Sequence, residues 1–389
     1  MKIAHFHWGF PPTIGGVETH LSTVLPEMVK MGHKVGLLTN GYQGIPGRYV
    51  YKGVKIRRTP MMDLNWLYKR GFEGLQEELQ NVFTDFLDEM KPDVVHTHNM
   101  HYFSKLHITT LYSICEKRRI PVVLTAHNVW DDIMFLDVLH SVPWSHIIAV
   151  SHYIANQLVS FGCNENDITV VHHGVDTGVF KPDAQCNEIL SEYPQLKGKP
   201  VVFHPARTGV AKGSDVTIKA VNMIKENFPD IMLVLAGTKN IIDWGETQQR
   251  DIAYFVKLIE LFHLKENVLV DSFTMEQMPQ LYAVSSVVVY PSSAPEPFGL
   301  TLLESMASSK PIIVTEAGGM PEIIHDRING YVIRVRDVEM LADRISRLLQ
   351  NKRLRDRLGK TGLNMVRQQY AIEDVTRNTL DVYSKVLSK

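Results

Sequence analysis

The feature that most limits how this chain can fold is an alternation, run twice, of short apolar stretches with longer helix-patterned ones. In the first half the apolar stretches are Lys2–Trp8, Lys34–Thr39, Asp93–His98, Pro121–His127, His146–Ser151 and Ile168–His172. Helix patterns such as Val17–Met31 and Tyr153–Phe161 lie between them. Strand-length runs that are apolar almost throughout are buried on both faces, which is the condition of parallel strands covered by helices. Residues 177–199 interrupt the rhythm with a polar run that contains Lys181-Pro182 and closes on GKP, which reads as a linker. Alternation resumes at Pro200–Pro205, Ile231–Gly237, Asn267–Phe273, Ser286–Ser292, Pro311–Thr315 and Tyr331–Val335. From about Val338 the pattern is helical, with Tyr370–Leu387 set apart as a terminal helix. A chain of 389 residues also exceeds what one core comfortably serves. The expected architecture is α/β, with one parallel-sheet domain over residues 1–180, a second over 200–370 and a last helix over 371–389. Two such domains facing each other would form a cleft, and ligands of parallel sheets bind beyond the carboxyl ends of the strands.

Strand ends therefore come first. The first strand runs into HWGFPPTIGGVETHL, where Gly15 and Gly16 precede a helix. Glycines there let backbone approach a ligand, and the helix N-terminus offers free N–H groups to an anion. A tight turn needing positive φ accounts for them equally well. The strand at 200–205 runs into RTGVAKGSD, placing Arg207 and Lys212 ahead of a helix that starts near Ser214. A guanidinium fork and a point-charge ammonium suit a diphosphate, although solvated loop charges have the same appearance. Residues 294–304, APEPFGLTLLE, set Glu296 in a loop and Glu304 inside a helix that begins at about Phe298–Gly299. Pro297 is tolerated there because first-turn N–H groups are unpaired anyway. A loop carboxylate can take sugar hydroxyls, and one on the helix can take the paired hydroxyls of a ribose. A glycosidase acid–nucleophile pair is the rival account, and helix capping by Glu304 the plain one. His127 ends a strand in LTAHN and would face the cleft.

Several classes are disfavoured. There is no GxGxxG and no GxxxxGK[ST], which weakens nicotinamide and P-loop readings. His96, His98 and His101 suggest a metal, but no carboxylate partner, HExxH or Asp-x-Asp accompanies them, so neither a metal nor a cofactor is expected. A net charge of −1 gives no electrostatic reason for nucleic-acid binding. No apolar run approaches the ~20 residues of a spanning helix. The N-terminal residues read as a strand, so no signal segment is expected. Cys115, Cys163 and Cys186 form no disulfide framework, and a cytoplasmic location follows.

Taken in order, FPPTIGGVETHL, GHKV, DVVHTHN, TAHN, AVS, HHGVDTGVF, R-x4-KG, the E-x7-E of Glu296 and Glu304, and GGMPEII resemble the retaining GT-B glycosyltransferases of family 4. The resemblance spans nearly the whole chain. It implies two Rossmann-like domains, a nucleotide-sugar donor bound mainly by the second, an acceptor bound mainly by the first, and a C-terminal helix that crosses back onto the first. It gives Arg207 and Lys212 to the diphosphate, Glu304 to the ribose and Glu296 to the donor sugar. Phe298, Gly299, Leu300 and Thr301 become the turn beside the sugar and phosphate, Gly15 and Gly16 the glycine loop over the diphosphate, and His127 the group near the sugar's 6-position. One departure is His172-His173, where the family often has Asn before Gly-Val-Asp. The implied reaction is a metal-independent, front-face transfer of a hexosyl or N-acetylhexosaminyl group, with UDP-GlcNAc or UDP-glucose as expected donors.

From Pro121 to Phe180 there is no Lys or Arg but six acids, including Asp131 and Asp132 just after TAHN. Solvated helix charges explain them; so does an acceptor without negative charge, such as an aminocyclitol of an aminoglycoside antibiotic pathway. Asn65–Phe72 is the one aromatic-basic segment suited to a membrane, and acids follow it. A small soluble acceptor bearing amines is therefore expected, with Asp131 and Asp132 binding it and no membrane association. A lipid-linked envelope or exopolysaccharide acceptor, a hydrolysing epimerase and a non-catalytic nucleotide-sugar-binding subunit remain as alternatives.

Overall fold

A computed structural model describes residues 1–71, 73–237 and 245–388. The chain divides into two units, Met1–Gly174 with Ile372–Lys389, and Val175–Ala371. The first unit contains β1 (Lys2–Phe6), β2 (Lys34–Asn40), β3 (Arg48–Tyr51), β4 (Val54–Thr59), β5 (Val94–His98), β6 (Val122–Ala126), β7 (His146–Ala149) and β8 (Ile168–Val170). They form one sheet in the order β3-β4-β2-β1-β5-β6-β7-β8. Every pairing is parallel except β3 with β4.

The β3–β4 hairpin is absent from the sequence expectation. Its strands alternate exposed and inward residues at a sheet edge instead of reading as a continuous apolar run. Its turn is Lys52-Gly53, both at positive φ (46° and 87°), the backbone of a two-residue hairpin in which Asn-Gly is the more familiar pair.

The helix Gly16–Lys30 buries Leu21, Val24, Leu25 and Met28, a spacing that keeps one face on the sheet. On the same core lies the terminal helix Ile372–Leu387, through Val375, Leu380, Val382, Tyr383 and Val386. Burying this face, at ~1.5–3 kcal/mol per large apolar side chain, ties the helix to the core of the first unit. The terminal helix thus belongs to the first unit although the whole second unit precedes it.

The second unit is built on β9 (Val201–His204), β10 (Met232–Gly237), β11 (Val268–Ser272), β12 (Val287–Tyr290), β13 (Ile312–Thr315) and β14 (Gly330–Ile333). The order is β11-β10-β9-β12-β13-β14, all parallel. This is the doubly wound arrangement in which strand order reverses beside the first strand, here between β9 and β12. In the first unit the same reversal falls between β1 and β5. The segment 177–199 is not a free linker. It carries a short helix, Asn187–Glu192, and buries Ile189, Tyr193 and Leu196 in the second unit. Hydrogen bonds from Ile189 N to Gln280 Oε1 and from Tyr193 OH to Asp271 Oδ2 hold it there. Among the described residues no helix is long and apolar enough to cross a membrane.

Candidate active site

Ligand-binding loops of a doubly wound sheet leave the strands on either side of the reversal. In the second unit these are the loops after β9 and β12, and they are tied to each other. Ser293 N and Ala294 N both donate to Ala211 O, at 2.9 and 3.1 Å. Gly213 sits at φ 78°, and a Cβ on it would lie 1.9 Å from Pro291 O, so this contact requires glycine. Val210 N donates to Asp251 Oδ2 at 2.9 Å, fixing the other side of the loop. Gly319 N, in the loop after β13, donates to Glu296 O at 2.7 Å.

The result is that Lys212 and Glu296, far apart in sequence, meet at 2.6 Å. The Tyr290 hydroxyl, at the end of β12, donates to the same Glu296 oxygen at 2.6 Å. Burial acts to lower the Lys212 ammonium, but Tyr290 and Glu296 outweigh it and hold the group above its usual value. Both side chains keep some solvent access, Lys212 about a quarter. The ion pair is therefore within reach of a ligand. Arg207 is exposed on the same loop and makes no ion pair or hydrogen bond among the described residues. Geometry thus joins Lys212 to Glu296, while the Arg207 guanidinium stands apart from them.

The helix after Glu296 is Leu300–Ala307, starting slightly later than the sequence suggests. Gly299 precedes it at φ 94°, with no side-chain cap, so first-turn N–H groups remain for a ligand. Thr301 Oγ1 is buried there without a partner among the described residues. Glu304 is buried on this helix and accepts from the Tyr282 hydroxyl at 2.8 Å. Burial raises its carboxyl to about 7, with the Tyr282 bond acting the other way. Phe298 is buried.

In the first unit, neither Gly15 nor Gly16 has positive φ, so the tight-turn account fails for both. Gly15 is small because Glu18 lies against it; a Cβ there would meet Oε2 at 2.2 Å. Gly16 has open space around the Cβ position. Glu18 is buried and pairs with His7 at 3.0 Å. His127 is not a lone strand-end residue. Its Nε2 faces His98 Nδ1 at 3.0 Å and its Nδ1 faces His173 Nε2 at 3.2 Å. Burial first, and then neighbouring imidazoles, lower it well below its ordinary value, so it is neutral. Asp132 accepts from Met134 N at 2.8 Å and caps the helix Ile133–Leu139, which commits one of its oxygens locally. Asp131 is exposed.

Sequence reasoning passed over Tyr290, Tyr282 and Glu18. Tyr290 ends the apolar run SVVVY and carries a strand-end signal; the other two show none, because their partners arrive from distant segments.

Comparison with known proteins agrees with the fold. The model of glycosyl transferases group 1 matches residues 187–365, and that of glycosyltransferase family 4 matches residues 14–179. An uncharacterised glycosyltransferase of Methanocaldococcus jannaschii is 26% identical over 98% of both chains. N-acetyl-alpha-D-glucosaminyl L-malate synthase of Bacillus anthracis is 23% identical over 97% of this chain and 95% of its own. Sucrose-phosphate synthase of Thermosynechococcus elongatus has the same fold, with a TM-score of 0.81 at 18% identity over 99% of both chains. So does the Anabaena protein HepE, solved with UDP and glucose, with a TM-score of 0.77 at 20% identity over 99% of both. With both halves of the chain matched in order, and both built as Rossmann-like parallel sheets, this protein belongs to the group 1, family 4 glycosyltransferases of GT-B fold.

Proposed function

We propose that this enzyme transfers a hexosyl or N-acetylhexosaminyl group, with retention, from a UDP-sugar to a hydroxyl of a soluble acceptor. The observation that carries the reading is the charged Lys212–Glu296 pair at the strand-order reversal of the second unit. A nucleotide sugar presents both partners with what they now give each other: phosphate oxygens for Lys212, sugar hydroxyls for Glu296. Arg207 and the uncapped mouth of the helix Leu300–Ala307 add donors for the diphosphate, and Glu304 takes the ribose. UDP is favoured because HepE was solved with UDP and glucose, and an N-acetylhexosamine because a relative is named for N-acetylglucosaminyl transfer.

In the reaction the bond from the anomeric carbon to the diphosphate oxygen breaks, and its electron pair leaves with the nucleotide. The acceptor oxygen bonds to that carbon on the same face, and its proton passes to the departing phosphate oxygen. Charge grows on the leaving group, where fixed cations and helix N–H groups are worth most. Transfer assays with UDP-, GDP- and dTDP-sugars, followed by NMR of the product anomer, test the reading. An inverted product, or a covalent glycosyl-enzyme trapped with a slow fluorinated donor, would overturn it.

For the acceptor, the stretch from Pro121 to Phe180, free of Lys and Arg, supports a molecule without negative charge, and the exposed Asp131 suits an amine. An aminocyclitol meets both conditions. A lipid-linked acceptor is the second reading, favoured by Trp66 and Tyr68, exposed on the helix Leu64–Arg70, and by exposed Trp130, Ile133 and Met134. Phe72, at the end of the first of these segments, lies outside the described residues. Pooled aminocyclitols set against a polyprenyl-phosphate sugar distinguish the two by mass spectrometry of the product.

A further inference from the structure

The first unit's strand-order reversal, between β1 and β5, carries imidazoles on the strands themselves. His5 is in register with His96, and His98 follows two residues on, so all three point to one face of the sheet. Their ring centroids lie 5.1, 5.3 and 4.2 Å apart for His5–His96, His5–His98 and His96–His98. One ring nitrogen from each lies within 4.8 Å of the other two. His5 Nδ1 and His98 Nε2 are 3.0 Å apart. The rings border a cavity of about 10 Å³, shared with His20 and Thr125, which is room for one water or one ion. Two buried nitrogens of rings lining this cavity, His5 Nε2 and His20 Nδ1, have no hydrogen-bond partner among the described residues.

We propose that His5, His96 and His98 form a transition-metal site that holds one Zn²⁺-like ion and clamps β1 to β5. Three neutral imidazoles select for zinc, copper or nickel and against magnesium and calcium, which take oxygen ligands. On a tetrahedral ion with Zn–N near 2.0–2.1 Å, two ligand nitrogens stand about 3.4 Å apart. The His5–His98 pair is within a few tenths of an ångström of that, and His96 joins it by giving up the contact of its Nε2 with Thr125 Oγ1, now 2.6 Å away. Outer-shell partners are in place: His98 Nδ1 faces His127 Nε2, and His96 Nδ1 faces the Tyr383 hydroxyl. A fourth position would be left to a water, and His20 lines the same cavity. A carboxylate, Glu18, reaches the cluster through His7, whose Nδ1 donates to His98 O.

Metal was not expected from His96, His98 and His101. His101 turns away, donating from Nε2 to Asn128 O at 2.9 Å; the third ligand comes from the neighbouring strand. Metal binding here does not depend on the transfer reaction proposed above, although His98 touches His127, which the family resemblance sets near the donor sugar.

Tag-free protein, stripped with chelator, is titrated with Zn²⁺ against a chromogenic competitor and with Co²⁺ by visible absorption. The expected result is one equivalent per chain, tetrahedral Co²⁺ ligand-field bands, nitrogen neighbours at about 2.0 Å by X-ray absorption, and a higher Tm with metal. His5→Gln and His98→Gln should each weaken binding at least about tenfold, while His107→Gln, equally buried but outside the cluster, leaves it intact. Should the cluster variants not fold, the Co²⁺ spectrum and X-ray absorption of the wild type decide. Fewer than about 0.1 equivalents of Zn²⁺, Co²⁺, Ni²⁺ and Cu²⁺, or binding equal in His5→Gln and wild type, would overturn the proposal.

Discussion

Glu304's own contribution to stability and its part in nucleotide binding should run in opposite directions with pH. Burial raises its carboxyl from 4.5 to about 7. An unfolded chain leaves it near the ordinary value, so across that window the folded state keeps a proton the unfolded state has lost. Its contribution to stability is full below the unfolded pKa, falls as pH rises from about 4.5 to about 7, and is level above. A difference of about 2.5 pH units is worth about 3.4 kcal/mol. The proposed ribose contact needs the opposite form, because hydroxyls donate to an ionised carboxylate. If only that form binds, about one molecule in eleven is competent near pH 6 and about ten in eleven near pH 8. The apparent Kd for UDP-glucose should then fall about tenfold, or about 1.4 kcal/mol, over that interval. The diphosphate of a nucleotide sugar has no proton to lose there, so the slope belongs to the protein. Calorimetry in two buffers of different ionisation enthalpy should find about 0.9 proton released near pH 6. Glu304→Gln still offers the Tyr282 hydroxyl an acceptor; it should lose the slope, bind weakly throughout and melt above wild type near pH 8. A wild-type Kd that moves less than about twofold, or a Gln variant with the wild-type slope, would refute the reasoning.

Other substitutions separate chemistry from packing. Lys212→Ala removes the cation proposed for the diphosphate and strands Glu296, so kcat should fall about 10²–10³-fold with folding intact by circular dichroism. Arg207 is exposed and unpartnered among the described residues, so Arg207→Ala should shift stability by less than about 0.5 kcal/mol while raising the donor KM in steady-state kinetics. Gly213→Ala forces a Cβ into Pro291 O at positive φ and should cost about 2–4 kcal/mol in denaturant titration, with activity lost in parallel.

The parallel strands were legible because runs such as VVVY and IIVT are buried on both faces and admit almost no polar residue. Where that condition lapses, so does legibility. The β3–β4 hairpin is half-buried at an edge, and the helix Asn187–Glu192 is too short for its period to show against a polar background. The same limit applies to the site. Residue types and loop position mark Arg207, Lys212, Glu296 and Glu304 as candidates. That Lys212 should meet Glu296, 84 residues away, follows only once β9 lies beside β12. Tyr282 was not readable at all, since it becomes a partner of Glu304 through a packing of helices that no local pattern records.

The two units share a topology and reverse strand order at the same place, yet the side chains gathered there differ in charge for a physical reason. In the second unit they stand on loops beyond β9 and β12, where Lys212 and Glu296 form an ion pair with partial access to water. In the first they stand within β1 and β5, fully buried, and burial holds His5 at about 3 and pushes His96 and His98 well below their usual value. Buried imidazoles of this kind are neutral at physiological pH. An ionised loop can answer an anion; a neutral imidazole cluster can offer only single hydrogen bonds or lone pairs. A diphosphate therefore has its natural place on the second unit, and the first is left with uncharged hydroxyls or a metal ion. Topology supplies two equivalent positions, and the depth of the side chains along the strand decides which ligand each can take.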